Sequence, residues 1–324
     1  MAKAKQSGRR IAVIGYGSQG HALAQNWRES CGDVLVALSA RSSSNKRARS
    51  DGFRPVTVAA ATRQSDIVVM AFPDYLHGRV FRRQIAPHLH PGQSLLFLHG
   101  LSVHFGQVVA PPECDVLLLA PHAPGVTVRQ KYLGARDLSA FIGVHQNATG
   151  HAWTTIRRLA AQAGFDKSRC LKTTFEDEAI GDLFGEQAVL CGGLAMLIKS
   201  GFETLIEQGL PPDNAYLEVA YQLDLIVDLI KRYGIAGMFD RISVAAQLGS
   251  LKAGPDIIGP DVKKRMRAAL ESIVDGSFVG ELSKLDSKDL PRLRRQLLCL
   301  SHPDLERAAK KFAPSESHSK RKAK

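Results

Sequence analysis

The chain has 324 residues, of which 44% are hydrophobic and 23% are charged, and its 43 basic residues against 31 acidic ones give a net charge of +12. This composition is ordinary for a globular protein and excludes a disordered or collagen-like chain. No uninterrupted apolar run approaches the roughly 20 residues that a membrane-spanning helix needs. We therefore expect no association with a membrane.

The cysteines and the N-terminal segment indicate a cytoplasmic protein. The five cysteines are odd in number, and none of them stands in a C-x-x-C pair. Neither a disulfide framework nor a zinc site is therefore expected. The first apolar run, residues 11–14, is too short for the apolar core of a signal peptide.

Positive charge is concentrated at the two ends of the chain. The last ten residues, 315–324, are polar and basic, and this composition predicts a disordered tail. Such a tail can bind nucleic acid, but we favour a solvated tail without a nucleic-acid partner.

Short apolar runs alternate with amphipathic stretches in the first half of the chain. This pattern is typical of a buried parallel sheet built from βαβ units. From about Thr174 the strand-like runs stop, and segments 183–205 and 215–233 have helical periodicity. The sequence predicts an α/β protein with a Rossmann-type domain at 9–172 and an all-helical domain at 173–314. The six apolar runs are 11–14, 33–38, 66–72, 94–98, 116–120 and 140–144.

A glycine-rich loop follows the first predicted strand. Gly15, Gly17 and Gly20 form a G-x-G-x-x-G pattern that leads into a helix-like segment at 21–27. In such loops the first glycine permits the tight turn, the second lets a pyrophosphate approach the backbone, and the third lets helix and strand pack closely. Because a helix N-terminus also presents free N–H groups to phosphates, the loop predicts a dinucleotide site.

The segment after the second predicted strand indicates which dinucleotide is bound. NAD enzymes typically carry an acidic residue there, which binds the ribose hydroxyls. Here the segment contains Ser39, Arg41, Ser42 and Ser44 and has no acid. Hydroxyl groups and a guanidinium suit a ribose 2′-phosphate, so the sequence favours NADP(H).

Two acidic residues lie one helical turn apart in the predicted helical domain. Asp182 and Glu186 share one face of an otherwise apolar helix, where like charges repel each other. Glu218 and Gln222 have the same spacing on the next helix. Oxygen ligands of this kind suit Mg²⁺, and solvated helix charges are an equally good interpretation of the spacing alone.

Several strings together resemble the ketol-acid reductoisomerase family. They are Gly15-Tyr-Gly-Ser-Gln-Gly-His21, His99-Gly100 with His104-Phe-Gly106, Thr174-Phe175, Asp182-Leu-Phe-Gly-Glu-Gln-Ala-Val-Leu-Cys-Gly-Gly193 and Leu225-Ile-Val-Asp-Leu229. The likeness extends from about residue 9 to residue 260, and the spacing matches the short, class I form of the family.

The resemblance implies a two-step reaction on a 2-aceto-2-hydroxy acid. A Mg²⁺-assisted alkyl shift gives a 2-keto acid, which NADPH reduces to a 2,3-dihydroxy acid on the route to isoleucine and valine. It also implies two Mg²⁺ ions and a knotted helical domain. The two acidic helices are then expected to come from different subunits of a homodimer or a higher oligomer.

The resemblance also assigns roles to residues of this chain. Asp182 matches the carboxylate that bridges the two metal ions, Glu186 a ligand of the first and Glu218 a ligand of the second. Ser243 matches the substrate-binding serine, and His99 matches the active-site histidine that transfers protons near neutral pH. The cofactor contacts are expected at Tyr16, Gly17, Ser18, Gln19, Ser42, Ser44, Asp74 and Gly125, with Arg41 as the substitute for an arginine that many members carry at position 39.

Three departures from the family pattern lie near the expected metal and substrate site. His122, the second catalytic candidate, stands where the family has a lysine, and Gln222, the fourth candidate metal ligand, stands where it has a second acid. Residues 244–249 replace a segment that bears an acid and a tyrosine. An imidazole has a shorter reach than a lysine and is largely neutral. An amide can still offer its oxygen to a hard cation but brings no charge, so from Gln222 we expect the second metal ion to bind more weakly.

Two alternative functions follow from these departures. One is a diverged NADPH-dependent 2-keto acid reductase with weak isomerase activity, since hydride transfer depends less on a two-metal clamp. The other is a non-catalytic paralogue that binds NADP(H). A metal-free hydroxyacid dehydrogenase is a weaker rival, because it would leave Asp182 and Glu186 without a role.

Overall fold

A computed structural model describes residues 9–135 and 137–313, and these divide into two compact units. The first unit contains residues up to 181 together with Leu282–Lys284, and the second contains the remaining described residues. The tail predicted at 315–324 lies outside the described residues.

The first unit is built on a seven-stranded sheet in the order β2-β1-β3-β4-β5-β6-β7. The first five of these strands are parallel, which confirms the predicted Rossmann-type architecture, whereas β6 pairs with β5 in the antiparallel direction and β7 is parallel to β6. The strands are β1 Ile11–Ile14, β2 Val34–Ala37, β3 Ile67–Met70, β4 Ser94–Phe97, β5 Asp115–Pro121, β6 Leu138–Gln146 and β7 Phe165–Lys172.

The last two strands differ from the sequence prediction. The sixth predicted run forms β6 but runs against β5, and β7 was not predicted at all. Only the first residue of β7, Phe165, is buried, while polar and charged side chains occupy most of the rest. An antiparallel or edge strand tolerates one solvated face, so such a strand lacks the continuous apolar run that identified β1 to β5.

Helices cover both faces of the sheet and enclose two apolar clusters. Because successive side chains of a strand point to opposite faces, Ile11 and Val13 join one cluster, and Ala12 and Ile14 join the other. The helices are α1 Ser18–Ser30, α2 Asn45–Ser50, α3 Val58–Gln64, α4 His77–Val80, α5 Leu101–His104, α6 Gly125–Leu133, α7 Ala152–Gln162 and α8 Phe175–Gly185, with shorter turns at Asp74–Leu76, Phe81–Ile85 and Ala86–His88.

The described residues of the second unit form helices and their connections without a strand, as the sequence predicted. Both long predicted helices are present, but a π-helical turn interrupts each of them, at Glu186–Leu190 and at Leu217–Tyr221. The helices that follow α8 are α9 Gly192–Glu207, α10 Pro212–Tyr216, α11 Leu223–Phe239, α12 Val244–Ile257, α13 Pro260–Val274, α14 Ser277–Leu282, α15 Leu290–Leu298 and α16 Pro303–Phe312.

One continuous helical run, Phe175–Glu207, is long and apolar enough to cross a membrane by length and composition alone. It meets that criterion over an 18-residue window with at most two charged side chains, although its uninterrupted apolar stretches are shorter. A single run of this kind is weak support for a membrane span, because core helices of soluble proteins meet the same criterion.

Candidate functional site

The loop between β1 and α1 has the backbone geometry of a phosphate-binding turn. Gly15 has φ +99°, and a Cβ there would lie 2.3 Å from the carbonyl oxygen of Ala71; a Cβ on Gly20 would lie 2.6 Å from the carbonyl oxygen of Gly15. Around a Cβ on Gly17, by contrast, there is nothing within 4 Å. The open space therefore lies before the N-terminus of α1, where a pyrophosphate can accept hydrogen bonds from backbone N–H groups.

The N-termini of α1 and α6 meet beside this open space. Ser18 Oγ accepts a hydrogen bond from the Gly125 backbone N–H at 3.1 Å, and Gln19 Nε2 donates to the Ala123 carbonyl at 2.8 Å. A Cβ on Gly125 would lie 2.1 Å from the Ser18 carbonyl oxygen. Two of the predicted cofactor residues, Ser18 and Gly125, are thus in direct contact, and only a glycine permits so close an approach of the two helices.

Tyr16 contributes differently from its neighbours in the loop. Its side chain is buried, and its hydroxyl donates a hydrogen bond to Asp51 Oδ2 at 3.0 Å. Burial, reinforced by the Asp51 carboxylate, raises the pKa of the Tyr16 hydroxyl. A bound cofactor would therefore meet the backbone of Tyr16, and the ring serves to support the loop.

The segment after β2 is folded around one side chain. Asn45 Nδ2 donates to the carbonyl oxygens of Ser39 at 2.9 Å, Ala40 at 3.2 Å and Ser42 at 3.0 Å. Ser39 and Arg41 are exposed, and Ser42 and Ser44 are half-buried. Within the described part of the chain the Arg41 guanidinium makes no hydrogen bond or ion pair, so it is available to a ligand.

A second cation of the chain after β2 lies close to the glycine loop. Arg47 Nη2 lies 3.1 Å from His21 Nδ1, and His21 Nε2 lies 3.2 Å from Asp51 Oδ2. Burial, followed by the Arg47 charge, lowers the pKa of His21. His21 is therefore neutral near pH 7 and supports Arg47 beside the segment that follows β2.

His99 follows β4 and is held by a buried carboxylate. Glu178 on α8 is 3% exposed, and its Oε2 accepts hydrogen bonds from His99 Nδ1 at 2.9 Å and from the Gly100 backbone N–H. An acceptor at Nδ1 places a hydrogen on that nitrogen and fixes the orientation of the His99 ring. A Cβ on Gly100 would lie 2.2 Å from the Phe175 carbonyl oxygen, so glycine is required there.

Glu178 is a candidate site residue that the sequence analysis missed. It lies in the first turn of α8, one helical turn before Asp182, so both side chains belong to the same face of the helix. The spacing of the acids could have identified it, since acidic residues at 178, 182 and 186 repeat every four residues.

The candidate metal ligands lie on two helical segments of the second unit. Asp182 is on α8 and Glu186 opens the following π turn; both are exposed, as are Glu218 and Gln222. Carboxylate oxygens of this kind fit Mg²⁺. Gln222 Nε2 donates to Glu218 Oε2 at 2.9 Å and to the Glu218 carbonyl at 3.3 Å. The amide is therefore hydrogen-bonded to one oxygen of the carboxylate that would bind an ion.

The remaining predicted site residues have local partners. His122, just after β5, has Nδ1 3.3 Å from Ser139 Oγ and packs edge-on against the Phe141 ring at 4.3 Å. Ser243 caps α12, because its hydroxyl accepts a hydrogen bond from the Ala246 N–H. Asp74 begins the turn after β3.

Family comparisons cover nearly all of the described chain. Residues 6–168 match the acetohydroxy acid isomeroreductase NADPH-binding domain, and residues 175–311 match the ketol-acid reductoisomerase C-terminal domain. This chain belongs to the ketol-acid reductoisomerase family. As a member of this family it is an oxidoreductase that binds a nicotinamide dinucleotide. The alternatives of a diverged 2-keto acid reductase and a non-catalytic paralogue are not favoured.

A solved structure of an NADH-preferring ketol-acid reductoisomerase from an uncultured archean is similar to this chain. The two are 35% identical with a TM-score of 0.89, over 94% of this chain and 95% of that one. Two less similar structures share the fold alone. One is a semialdehyde dehydrogenase NAD-binding protein from Cupriavidus necator, at 22% identity and TM-score 0.63 over 83% of this chain and 99% of that one. The other is a Plasmodium falciparum pyrroline carboxylate reductase, at 17% identity and TM-score 0.53 over 82% of this chain and 97% of that one.

Proposed function

We propose that this chain is a ketol-acid reductoisomerase of branched-chain amino acid biosynthesis, which converts a 2-aceto-2-hydroxy acid to a 2,3-dihydroxy acid with NADPH and Mg²⁺. One observation carries the proposal. Helix α8 bears both the carboxylate that orients His99 and, one turn later, the first of the two metal-type acids. A proton-transfer group that is oriented by the same helix that bears hard oxygen ligands suits an alkyl shift at an oxygen-rich substrate.

The site residues divide the chemistry between them. Asp182, Glu186 and Glu218 would hold Mg²⁺, which when bound polarises the substrate oxygens. His99 can accept or return a proton at Nε2, since Glu178 keeps the other ring nitrogen protonated. The glycine loop would hold the pyrophosphate and orient the nicotinamide for hydride transfer.

NADPH is the proposed cofactor because cations border the segment that follows β2. Arg41 is exposed and available there, and Arg47 is held beside the glycine loop by His21. Guanidinium groups bind phosphate in a bidentate manner, and no acid in 39–44 would repel a 2′-phosphate. The similar structure belongs to an NADH-preferring protein, so the test compares both cofactors.

We propose that the alkyl shift is the weaker of the two steps in this chain. The Gln222 amide donates a hydrogen bond to Glu218. Because it stands where the family has an acid, the second acidic helix has one negative charge fewer. His122 is tied to Ser139 and Phe141 and replaces a fixed cation. Reduction of the rearranged 2-keto acid, when it is supplied as substrate, depends less on the residues at 122 and 222 than the alkyl shift does.

We further propose that the chain acts as a dimer or higher oligomer in the cytoplasm. Large apolar side chains of the second unit are exposed, among them Leu190 at 65%, Leu225 at 63% and Leu251 at 75%. Exposed apolar surface of this extent marks an interface with another chain. The cysteines are free, which agrees with a reducing compartment.

The test supplies purified protein with Mg²⁺ and 2-acetolactate, follows the loss of reduced nicotinamide, and runs NADPH and NADH in parallel. The rearranged 2-keto acid is assayed alongside, and Asp182→Asn controls for a contaminating enzyme. Turnover of acetolactate supports the proposal. Turnover of the keto acid alone would make the protein a 2-keto acid reductase, and no turnover of either substrate by protein that binds NADPH would overturn an enzymatic role.

A further inference from the structure

We propose that His77 is a positioning residue that fixes the loop after β3 to the segment bearing His99. It thereby keeps the cofactor and the proton-transfer group at a constant distance and orientation. His77 begins α4 and is 2% exposed. The inference rests on the proposed function, because it assigns Asp74 to the cofactor and His99 to proton transfer.

The two ring nitrogens of His77 bind two different loops. Nε2 lies 2.8 Å from the carbonyl oxygen of Phe72, two residues after β3. Nδ1 lies 2.7 Å from Ser102 Oγ on α5, three residues after His99. Both loops follow the carboxyl ends of neighbouring strands, which is where ligands bind in a sheet of this type.

The partners determine the protonation of the imidazole. A carbonyl only accepts, so Nε2 carries the hydrogen, and Nδ1 accepts the hydrogen bond of the Ser102 hydroxyl. Burial lowers the pKa of His77, against the opposing effects of the Asp74 carboxylate, whose Oδ1 lies 3.6 Å away, and of the Phe72 carbonyl. Both ring nitrogens are thus engaged, which suits a connecting role and leaves neither for substrate.

Aromatic packing extends this connection to α8. The His77 ring lies edge-on to Phe72 at 4.6 Å and to Phe97 at 6.2 Å. Phe97 in turn contacts Phe175 at 6.1 Å, and Phe175 lies one turn before Glu178, the residue that holds His99. A displaced imidazole would therefore disturb His99 both through α5 and through α8.

Three variants separate positioning from general stability. His77→Leu removes both hydrogen bonds. His77→Gln keeps them, since an amide offers a donor and an acceptor in one side chain. Ser102→Ala removes only the bond toward the His99 segment. Thr62→Val is the matched control, because Thr62 is a fully buried hydroxyl of the same unit that bonds to the Val58 carbonyl on α3.

The measurements are NADPH affinity by calorimetry, kcat, and the ring ¹⁵N signals of His99 in histidine-labelled protein, assigned with His99→Ala. We expect His77→Leu to weaken NADPH binding, to lower kcat about 10- to 100-fold and to shift the His99 signals. Ser102→Ala should lower kcat and shift the signals at native NADPH affinity, and His77→Gln should restore both properties.

The inference is overturned if His77→Gln behaves like His77→Leu. It is also overturned if the His99 ring signals of Ser102→Ala are the same as those of Thr62→Val. Should His77→Leu fail to fold, Ser102→Ala and His77→Gln decide the matter by the same readouts. NADPH affinity and the His99 signals need no turnover, so a failure of the proposed function is distinguishable from a failure of this inference.

Discussion

Glu178 accepts hydrogen bonds from two groups of the segment that follows β4. The negative carboxylate satisfies the Gly100 N–H and orients His99 with one oxygen, and both bonds are shielded from water because Glu178 is buried. A charge-assisted bond of this kind fixes the tautomer as well as the position of an imidazole. The orientation of the His99 ring therefore depends on a residue 79 positions later in the chain.

Replacing Glu178 by glutamine should lower kcat by about 10- to 100-fold with a smaller change in KM. An amide can accept from Gly100, but it lacks the charge that holds the Nδ1–H of His99. Steady-state kinetics at saturating NADPH measure the effect. Glu176→Gln, an exposed neighbour on the same turn, is the control, and an equal loss in that variant would contradict the assignment.

The Glu218–Gln222 pair and His122 allow a test of the proposed imbalance between the two steps. Gln222→Glu frees the Glu218 carboxylate and adds a charge, so the second divalent ion should bind on the order of tenfold more tightly. Adding His122→Lys should raise acetolactate turnover more than turnover of the rearranged keto acid. Mn²⁺ binding by electron paramagnetic resonance and both rates are measured, and equal gains in the two rates would refute the hierarchy.

At the scale of elements, the glycine loop was predictable and part of the sheet was not. Strands β1, β3, β4 and β5 are buried on both faces and β2 is partly buried, so each appears as a continuous apolar run. The direction of β6 depends on pairing with β5, which no local pattern encodes, and β7 is polar because it is an edge strand. The His99–Glu178 pair was missed for the same reason, since its partners come from distant segments.

Two glycines of the loop, Gly17 and Gly20, should respond differently to alanine. A Cβ on Gly20 meets the Gly15 carbonyl, so Gly20→Ala should lower the free energy of unfolding by about 1–3 kcal/mol as α1 shifts. Gly17→Ala meets no atom of the described chain within 4 Å and should leave that free energy unchanged while it abolishes NADPH binding. Urea unfolding and calorimetric titration of the two variants make the comparison, and equal losses of stability would contradict it.

At the scale of the whole molecule, buried neutral histidines make stability depend on pH. The pKa of His77 is lowered by burial, so below about pH 6.5 the unfolded chain binds a proton that the folded chain does not. The free energy of unfolding therefore decreases as the pH falls through this range. His21, whose pKa is also lowered by burial, contributes in the same direction.

Urea midpoints of the native protein and of His77→Gln, measured between about pH 5 and pH 8, test this dependence. Native stability should decrease below about pH 6.5, and the variant should retain only the smaller part that His21 causes. Parallel pH profiles for the two proteins would exclude His77 as a source of the effect.

The charges on β7 decide which surfaces of two copies can meet. An edge strand has unpaired backbone groups and can extend into the sheet of another molecule. The exposed side chains of β7 include Lys167, Arg169 and Lys172, and two such edges would repel each other. Protection of this kind against sheet-to-sheet aggregation leaves the exposed apolar helices of the second unit as the surface through which copies of the chain can associate.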